Sequence, residues 1–464
     1  MNNFINREAE LRSLNEDYAR PGSSLYILYG RRRLGKTTLL RQFAAGRPAV
    51  YHMADRAAEI DARRLLAGAM ARGLGEATLQ SSDFGDWYAL LAAYDRLRPR
   101  QKTILILDEY QYLCEQQPAF SSILQRWWDE HWQHTPIMLI LCGSVLSMMH
   151  RETLARSSPL FGRRTGQWLL APLRFKHAQA FFPKLPARAR LEMWALTGGV
   201  PRYAELASAY SGFTEALRHL VLTKDGPLYA EARFLLQDEV TTPNVYWSLL
   251  HAIGSGVSRI SEIAGRVGLA ANQLTRYLSA LQDLGLIRRV VPVTEGSPEK
   301  SKRGIYQVTD SFLHLWFGCV APFESLVEFG KARETEILMR DRLTAHKAWA
   351  FEEVCRQHVE DLAPQHGAVK VGRYWDRTME IDVAAVDEKG GVVLAGECKW
   401  TIKPVDLDVA RELERKVAQA WPEKQRAITL MLFSAAGFTA AVQRWAAQSG
   451  ATLVVADALC APGG

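Results

Sequence analysis

The chain has 464 residues, a length that suggests about three domains of roughly 150 residues each. No apolar stretch is long enough to span a bilayer, and residues 1–17 lack the apolar core of a signal peptide, so we expect a cytoplasmic protein without a membrane partner. The six cysteines are scattered without a C-x-x-C pair, which argues against a disulfide framework or a zinc knuckle, and the net charge of +7 fits a polyanionic partner and a basic solvated surface equally well.

The first predicted elements are a buried strand at residues 24–29 and a helix at 38–43, joined by a G-x-x-x-x-G-K-T loop. In this strand–loop–helix context the motif predicts an ATP site with a Mg ion. Backbone N–H groups of the loop and the helix N-terminus would surround the phosphates, Lys36 would reach the β- and γ-phosphates, and the Thr37 hydroxyl would ligate Mg. The predicted nucleotide-binding residues of this segment are Gly30, Arg31, Arg32, Arg33, Leu34, Gly35, Lys36, Thr37 and Thr38.

Two further apolar strands end in polar residues. The strand at 103–107 leads into Asp108 and Glu109, and acids at the carboxyl end of a buried parallel strand face the ligand crevice. We expect Asp108 to organise Mg and Glu109 to polarise the attacking water, although Asp108 could instead cap a helix. The strand at 137–142 precedes Ser144, for which γ-phosphate sensing and helix capping are the two interpretations.

Four segments resemble motifs of the archaeal-type AAA ATPases of the STAND-related group, which also occur in bacteria. They are residues 4–11 (F-x-x-R-E-x-E-L), the arginine-rich loop at 30–37, residues 159–166 (P-L-x-G-R) and residues 198–203 (G-G-x-P-x-Y). The resemblance implies that the first segment lies near adenine and that Pro201 belongs to a turn beside the base, a purely structural turn being the alternative. It also implies that Arg163 is an arginine finger, in cis or, within a homo-oligomer, in trans; a surface charge is the alternative.

The middle of the chain predicts helices. Residues 167–235 are expected to form a helical lid on the ATPase sheet. Helices at 245–253, 260–267 and 271–283, followed by strands at 288–293 and 305–308, predict a winged helix. One interpretation is DNA contact, and the other is a lid or docking module. The candidate DNA-contacting residues are Asn272, Gln273, Thr275 and Arg276 of the third helix, with Lys300, Lys302 and Arg303 of the wing.

The last third contains two predicted strands, at 378–386 and 392–400, that place Asp382 opposite a Glu397-x-Lys399 segment. This is the arrangement of the PD-(D/E)xK nucleases, in which the two carboxylates hold Mg and the lysine orients water. Glu353, on the preceding helix, is the expected additional ligand. An ordinary exposed hairpin is the alternative. The E-I-D and E-C-K-W segments also resemble the nuclease-like C-terminal domain that accompanies the archaeal-type ATPases.

Together these patterns predict an α/β chain with a P-loop NTPase parallel sheet and helical lid (residues 1–235), a winged-helix domain (236–325) and a restriction-endonuclease-like α/β domain (326–464). The expected function is ATP hydrolysis, with ATP and Mg as cofactors, that gates a metal-dependent nuclease acting on DNA. The alternative is a non-cleaving regulatory switch of the STAND type that binds DNA or a protein partner.

Overall fold

The computed structural model describes residues 4–240, 242–423 and 427–461. Internal contacts divide the chain into two compact units. The first contains the described residues up to Pro172 together with Asp238–Val240, and the second contains Leu173–Gln237 and the described residues from 242 onward. Among the described residues, no helix combines the length and the apolar composition that a membrane crossing requires.

The first unit is built on a five-stranded parallel sheet with the order β2-β3-β4-β1-β5. Its strands are β1 (Ser24–Tyr29), β2 (Ala49–Met53), β3 (Thr103–Asp108), β4 (Ile137–Gly143) and β5 (Gly166–Leu169). Its helices are α1 (Glu8–Ala19), α2 (Lys36–Ala44), α3 (Glu59–Leu74), α4 (Thr78–Ser81), α5 (Trp87–Leu97), α6 (Gln111–Gln116), α7 (Phe120–Trp127) and α8 (Leu146–Met149). The predicted parallel P-loop sheet is therefore present.

The apolar strands β1, β3 and β4 are the central strands of this sheet, as uninterrupted hydrophobic runs predict. Every residue of β3 and β4 is buried. Helices α3, α5 and α7 pack their apolar faces on one side of the sheet and complete the hydrophobic core. Because β4 lies between β1 and β3, the carboxyl ends of these three strands meet at one edge.

The prediction of a helix at the start of 167–235 is wrong for its first residues, because they form β5. Tyr26 to Tyr29 of β1 pair in parallel with Gly166 to Leu169. Exposure alternates along β5, as expected of an edge strand with one covered face. Residues 166–169 therefore pair with the free edge of β1 before the first helix of this region begins.

The second unit contains the remaining elements. Its helices are α9 (Phe175–Ala178), α10 (Ala187–Thr197), α11 (Pro201–Ala207), α12 (Phe213–Leu220), α13 (Glu231–Glu239, whose last two residues belong to the first unit), α14 (Pro243–Gly254), α15 (Ile260–Val267), α16 (Ala271–Asp283), α17 (Ser311–Leu315), α18 (Glu324–Glu328), α19 (Ala332–Leu338), α20 (Arg340–Leu362), α21 (Leu407–Ala420), α22 (Ala440–Ser449) and α23 (Ala456–Cys460). Its strands are β6 (Ile287–Val290), β7 (Ile305–Val308), β8 (Lys370–Trp375), β9 (Glu380–Val386), β10 (Val392–Lys399), β11 (Thr429–Ser434) and β12 (Thr452–Val455). Short π-helical turns occupy Trp128–Trp132, His150–Leu154 and Trp316–Val320, and 3₁₀ turns occupy Gln179–Phe181, Pro298–Lys300, Ala321–Phe323 and Ala363–His366.

The helices after residue 172 pack against later helices of the second unit. The Ser311 hydroxyl of α17 donates a hydrogen bond to the Ala195 carbonyl of α10. Tyr203 and Phe312 place their ring centroids 5.1 Å apart. The continuous part of the first unit consequently ends at Pro172, whereas the sequence predicts an ATPase domain that extends to residue 235.

Three helices and an antiparallel hairpin follow in the order that the sequence predicts. Helices α14, α15 and α16 precede the hairpin of β6 and β7, in which Ile287 pairs with Val308. Val293, just beyond β6, is buried in the core of the sheet formed by β8 to β12. Its N–H group donates to the Arg373 carbonyl of β8, at a distance of 2.8 Å.

The C-terminal sheet is mixed and has the order β12-β11-β10-β9-β8. Strands β8, β9 and β10 pair antiparallel, while β10, β11 and β12 pair in parallel. On β10, Gly396 pairs with Val383 of β9. The next residues along the two strands are Glu397 and Asp382, so the hairpin brings these two acids together.

Candidate nucleotide site

The loop between β1 and α2 wraps around the Lys36 side chain. The Lys36 ammonium group donates to the carbonyl oxygens of Gly30, at 2.7 Å, and Arg31, at 3.0 Å. Gly35, with φ of +87°, precedes the helix in the left-handed region that favours glycine. The lysine and the N-terminus of α2 therefore lie together at the carboxyl end of β1.

Asp108, at the end of β3, is the centre of the site's hydrogen bonding. Its Oδ2 atom accepts from the Thr37 hydroxyl at 2.8 Å and from the Tyr51 hydroxyl, and its Oδ1 atom accepts from the Glu109 N–H at 3.0 Å. Asp108 is completely buried. Burial and the neighbouring carboxylate raise the pKa of Tyr51 well above its ordinary value, so this phenol stays a donor.

Glu109 is held by two donors from neighbouring elements. Its Oε2 atom accepts from the Ser144 hydroxyl, which follows β4, and from the Gln111 amide nitrogen of α6, both at 2.6 Å. Glu109 has φ of +54°, a left-handed conformation that is strained for a residue with a side chain. Of the four described non-glycine residues with positive φ, Arg33 and Glu109 both belong to this site.

The N-terminal segment reaches the loop through Arg7. This buried guanidinium donates to the Leu34 carbonyl at 3.1 Å, to the Ala171 carbonyl at 2.9 Å, and to the Glu10 carboxylate at 2.8 Å. The arginine and the glutamate of the N-terminal motif thus form one ion pair that supports the phosphate-binding loop.

The other predicted loop residues have distinct environments. Arg31 and Leu34 are buried, and Thr38 is exposed on α2. Arg32 donates to the Tyr112 hydroxyl at 2.7 Å. Pro201 begins α11 and belongs to the second unit.

Arg163 forms a two-point ion pair with Asp129. Its Nε and one terminal nitrogen each lie 2.7 Å from a carboxylate oxygen, and the pairing lowers the pKa of Asp129. The next residue, Arg164, lies close enough to Tyr29 for its charge to oppose the rise that burial causes in the pKa of that phenol. The arginine-finger role of Arg163 stays a prediction.

A second polar cluster lies on the C-terminal sheet. Glu397 accepts from the Lys399 ammonium group at 2.7 Å and, through its other oxygen, from Lys416 of α21 at 3.0 Å. The Asp382 carboxylate accepts from the Cys398 N–H at 2.8 Å. Burial and the negative charges of Glu397 and Glu352 raise the pKa of Asp382.

The two adjacent acids of α20 have different surroundings. Glu353 pairs with Arg288 of β6 at 2.7 Å and with Arg356 at 3.0 Å. Although burial favours the neutral acid, these two arginines lower the pKa of Glu353 to about 2. Its neighbour Glu352 is the helix acid whose charge acts on Asp382.

The donor sets of the two clusters differ in their fit to a metal ion. Thr37 and Asp108 present the hydroxyl and carboxylate oxygens that Mg prefers, beside a loop suited to phosphates. Both oxygens of Glu397, in contrast, already contact ammonium groups. In the described parts of the chain, no three acidic, histidine or cysteine side chains form a group that could hold a metal ion.

Sequence reasoning missed four residues of these clusters: Tyr51, Gln111, Glu352 and Lys416. Gln111 could have been noticed as a polar residue two positions after the acidic pair. Tyr51 and Lys416 carry no local signal, because their contacts arise from the packing of β2 and α21 against distant strands.

The third helix of the predicted winged helix presents an exposed polar face. Leu274, Leu278 and Leu281 of α16 are buried. The candidate DNA-contacting residues Asn272, Gln273, Thr275 and Arg276 are exposed. In the wing, Lys300 and Lys302 are also exposed, while Arg303 pairs with Glu295.

Two models of known protein families match separate segments of the chain. Residues 4–206 match a family model described as an ATPase domain predominantly from Archaea. Residues 316–413 match a second model, described as archaeal and bacterial proteins of unknown function. The nucleotide site, apart from Pro201, lies in the first unit and falls inside the ATPase match.

The chain is also similar to individual proteins. An uncharacterized protein of Methanocaldococcus jannaschii is 32% identical over 419 residues, which cover 89% of this chain and 91% of the relative. An uncharacterized ATP-binding protein of the same organism is 48% identical over 40 residues, which cover 9% of this chain and 68% of that protein. Among solved structures, the Walker-type ATPase of Pyrococcus abyssi is 19% identical with a TM-score of 0.49, covering 68% of this chain and 95% of that one.

Proposed function

Because the chain belongs to the same family as its Methanocaldococcus jannaschii relative and carries an ATPase domain of the kind found predominantly in Archaea, we propose that its first unit hydrolyses ATP and thereby regulates an action of its second unit on DNA.

The observation that carries the first part of this proposal is the meeting of three strand ends. Lys36 follows β1, Asp108 and Glu109 follow β3, and Ser144 follows β4. Hydrogen bonds of 2.6 to 2.8 Å join Thr37 to Asp108 and Ser144 to Glu109. A cation, a carboxylate pair and a hydroxyl at one sheet edge are the groups that phosphoryl transfer to water requires.

Each group has a role in this scheme. Lys36 binds the β- and γ-phosphates of ATP. The Ser144 hydroxyl, which donates to Glu109, would turn towards the γ-phosphate to sense it. Thr37 and Asp108 would hold Mg, which when bound supplies charge that neutralises the phosphate oxygens. Glu109 orients the attacking water and accepts its proton. Arg163 is the candidate for neutralising charge that develops during transfer.

Hydrolysis assays with single variants test this assignment. We expect Glu109→Gln to lower kcat by about 10²- to 10⁴-fold, because it removes the general base while keeping the size of the side chain. Nucleotide binding, measured by fluorescence anisotropy, should persist in Glu109→Gln and weaken strongly in Lys36→Ala. Glu130→Gln, at a side chain that is 59% exposed, is the matched control. Equal hydrolysis by wild type and Lys36→Ala would overturn the proposal.

The observation that supports an action on DNA is the exposed face of α16. Four polar side chains of one helix in a three-helix and hairpin module are exposed, and the guanidinium of Arg276 among them lies over the ring of the adjacent Tyr277. A winged helix places such a helix in the major groove. The positive net charge of the chain is compatible with the same partner.

Duplex DNA binding at several salt concentrations tests the role of α16. If Arg276 contacts a phosphate, Arg276→Ala should weaken binding and reduce the slope of log affinity against log salt by about 1. Arg444→Ala, at an exposed arginine of α22, should leave both quantities unchanged. Identical salt slopes for the two variants would assign α16 to docking within or between proteins instead.

A second candidate function is cleavage of the phosphodiester backbone. The observation that favours it is the cluster of Asp382, Glu397 and Lys399 on neighbouring strands, with Glu352 nearby. The ammonium groups on both oxygens of Glu397 oppose metal binding by the cluster as it is arranged, so we derive no metal-dependent step from it. The same arrangement is compatible with a binding platform in a non-cleaving switch.

Cleavage assays separate the two candidates. Linear, circular and single-stranded DNA would be incubated with Mg or Mn, in the presence of ATP, a non-hydrolysable analogue or neither. Cleavage that is lost in Asp382→Asn and altered in Lys36→Ala would establish an ATP-gated nuclease. Intact DNA in every condition, with ATP hydrolysis retained, would leave the regulatory switch.

A further inference from the structure

Tyr51 lies outside the motifs of the nucleotide site but contacts its central carboxylate. It is the third residue of β2, and β2 pairs in parallel with β3. Met53 pairs with Asp108, and Tyr51 pairs with Ile106. Tyr51 therefore lies two residues before the end of β2, and its side chain extends along the sheet so that the hydroxyl reaches Oδ2 of Asp108.

Three of the groups that donate to the Asp108 carboxylate come from different parts of the chain. The Thr37 hydroxyl comes from α2, the Glu109 N–H comes from the residue after β3, and the Tyr51 hydroxyl comes from β2. Thr37 and Tyr51 both donate to Oδ2. Of the three, Tyr51 is the donor that belongs neither to the phosphate-binding segment nor to the chain around Asp108.

The tyrosine ring is itself held in place. The guanidinium of Arg41, in the last turn of α2, lies 5.4 Å from the centre of the ring. At this distance a cation is attracted to an aromatic face. The ring thus contacts the helix that carries Lys36 and Thr37, while its hydroxyl contacts Asp108.

We propose that Tyr51 is a positioning residue for ATP hydrolysis, which orients the Asp108 carboxylate relative to Thr37 so that the pair can hold the divalent cation of the nucleotide. This inference rests on the proposed ATPase function. Tyr51 acts through Asp108 and touches neither the phosphates nor the attacking water.

Tyr51→Phe tests the proposal, because it removes the hydroxyl and retains the ring. A hydrogen bond to a charged group corresponds to about a tenfold to hundredfold change in rate. We expect kcat to fall by that factor, with the KM for ATP within about twofold of wild type, since Lys36 and its loop remain. Calorimetric titration of Mg into the complex with a non-hydrolysable analogue should show weaker cation binding. Tyr18→Phe is the matched control, because the Tyr18 hydroxyl donates to the Lys102 carbonyl.

A double-mutant cycle distinguishes positioning from a general structural effect. In an Asp108→Asn background, Tyr51→Phe should change kcat and cation affinity little, because the group through which it acts is already altered. Unchanged kcat and cation affinity in Tyr51→Phe would overturn the inference, as would full additivity with Asp108→Asn. Failure of the ATPase proposal is recognised separately, by wild-type hydrolysis no higher than that of Lys36→Ala.

Discussion

Gly143 allows Gln111 to reach the candidate general base. A Cβ atom at this position would lie 2.4 Å from Oε1 of Gln111 and 2.3 Å from Sδ of Met149. Gln111 is fully buried, and its amide nitrogen donates to Glu109. The missing side chain at the end of β4 therefore determines where the glutamate carboxylate lies.

A methyl group at Gly143 should consequently lower activity more than stability. In Gly143→Ala, the side chains of Gln111 and Met149 are displaced, and Glu109 loses one of its two donors. We expect kcat to fall at least about tenfold, with the affinity for nucleotide retained, because one hydrogen bond to a charged group is worth about 1.5–3 kcal/mol. Gly85→Ala, where the added atom meets no neighbour within 4 Å, is the control. Full activity in Gly143→Ala would show that Gln111 does not position Glu109.

At the scale of elements, α17 and α20 meet through the half-buried His314 and the buried His346. Nδ1 of His314 and Nδ1 of His346 lie 2.8 Å apart, and Nε2 of His346 lies 2.8 Å from the Ala195 carbonyl. Since a carbonyl only accepts, His346 carries its proton on Nε2, and His314 donates from Nδ1. Burial favours the neutral form of both imidazoles, which this arrangement of donors and acceptors accommodates, and His314 also stacks on Trp349 with ring centroids 4.0 Å apart.

This pair predicts loss of stability in mild acid. Burial lowers the pKa of both histidines, and for His346 the nearby charge of Lys347 acts in the same direction. The unfolded chain, with histidine pKa near 6.5, then binds more protons than the folded one. The stability that the two neutral histidines contribute is fully present above about pH 6.5. Below that pH, the free energy of unfolding falls by up to about 1.4 kcal/mol per pH unit for each histidine.

Urea unfolding at pH 7, 6 and 5 measures this dependence. His346→Gln retains a donor towards Ala195 but does not titrate, so its stability should depend less on pH than that of wild type. His131→Gln, at an imidazole that is 46% exposed, is the control for loss of a histidine as such. Parallel pH curves for wild type and His346→Gln would contradict the prediction.

From the sequence, the positions of site residues at strand ends could be predicted more closely than those of site residues on helices. Lys36, Asp108, Glu109 and Ser144 could be placed together because parallel strands bring their carboxyl ends to one edge. On a helix, adjacent residues differ by about 100° in direction, so choosing between Glu352 and Glu353 requires the rotation of α20 against the sheet. That rotation is set by tertiary packing.

At the scale of the whole molecule, the nucleotide site lies within one of two compact units. The loop of Lys36, the acids after β3 and Ser144 all belong to the first unit. A ligand that binds only this folded unit stabilises it by mass action, by about 2.7 kcal/mol at a concentration 100-fold above its Kd. The second unit gains nothing from this binding unless the two unfold together.

Calorimetry with increasing ATP should therefore show two transitions, one of which rises in temperature with nucleotide. We expect Lys36→Ala to abolish the shift and to leave the other transition in place. A single transition that moves as a whole would indicate that the two units unfold cooperatively.

The position of Val293 has a consequence for how such chains evolve. This residue follows the first strand of the small hairpin, yet it completes the core of a sheet whose strands begin more than 70 positions later. A gene fragment that starts at residue 326 would encode that sheet without this residue of its core. Recombination between hairpin and sheet would remove this contact, so we expect lineages to inherit or lose the two together.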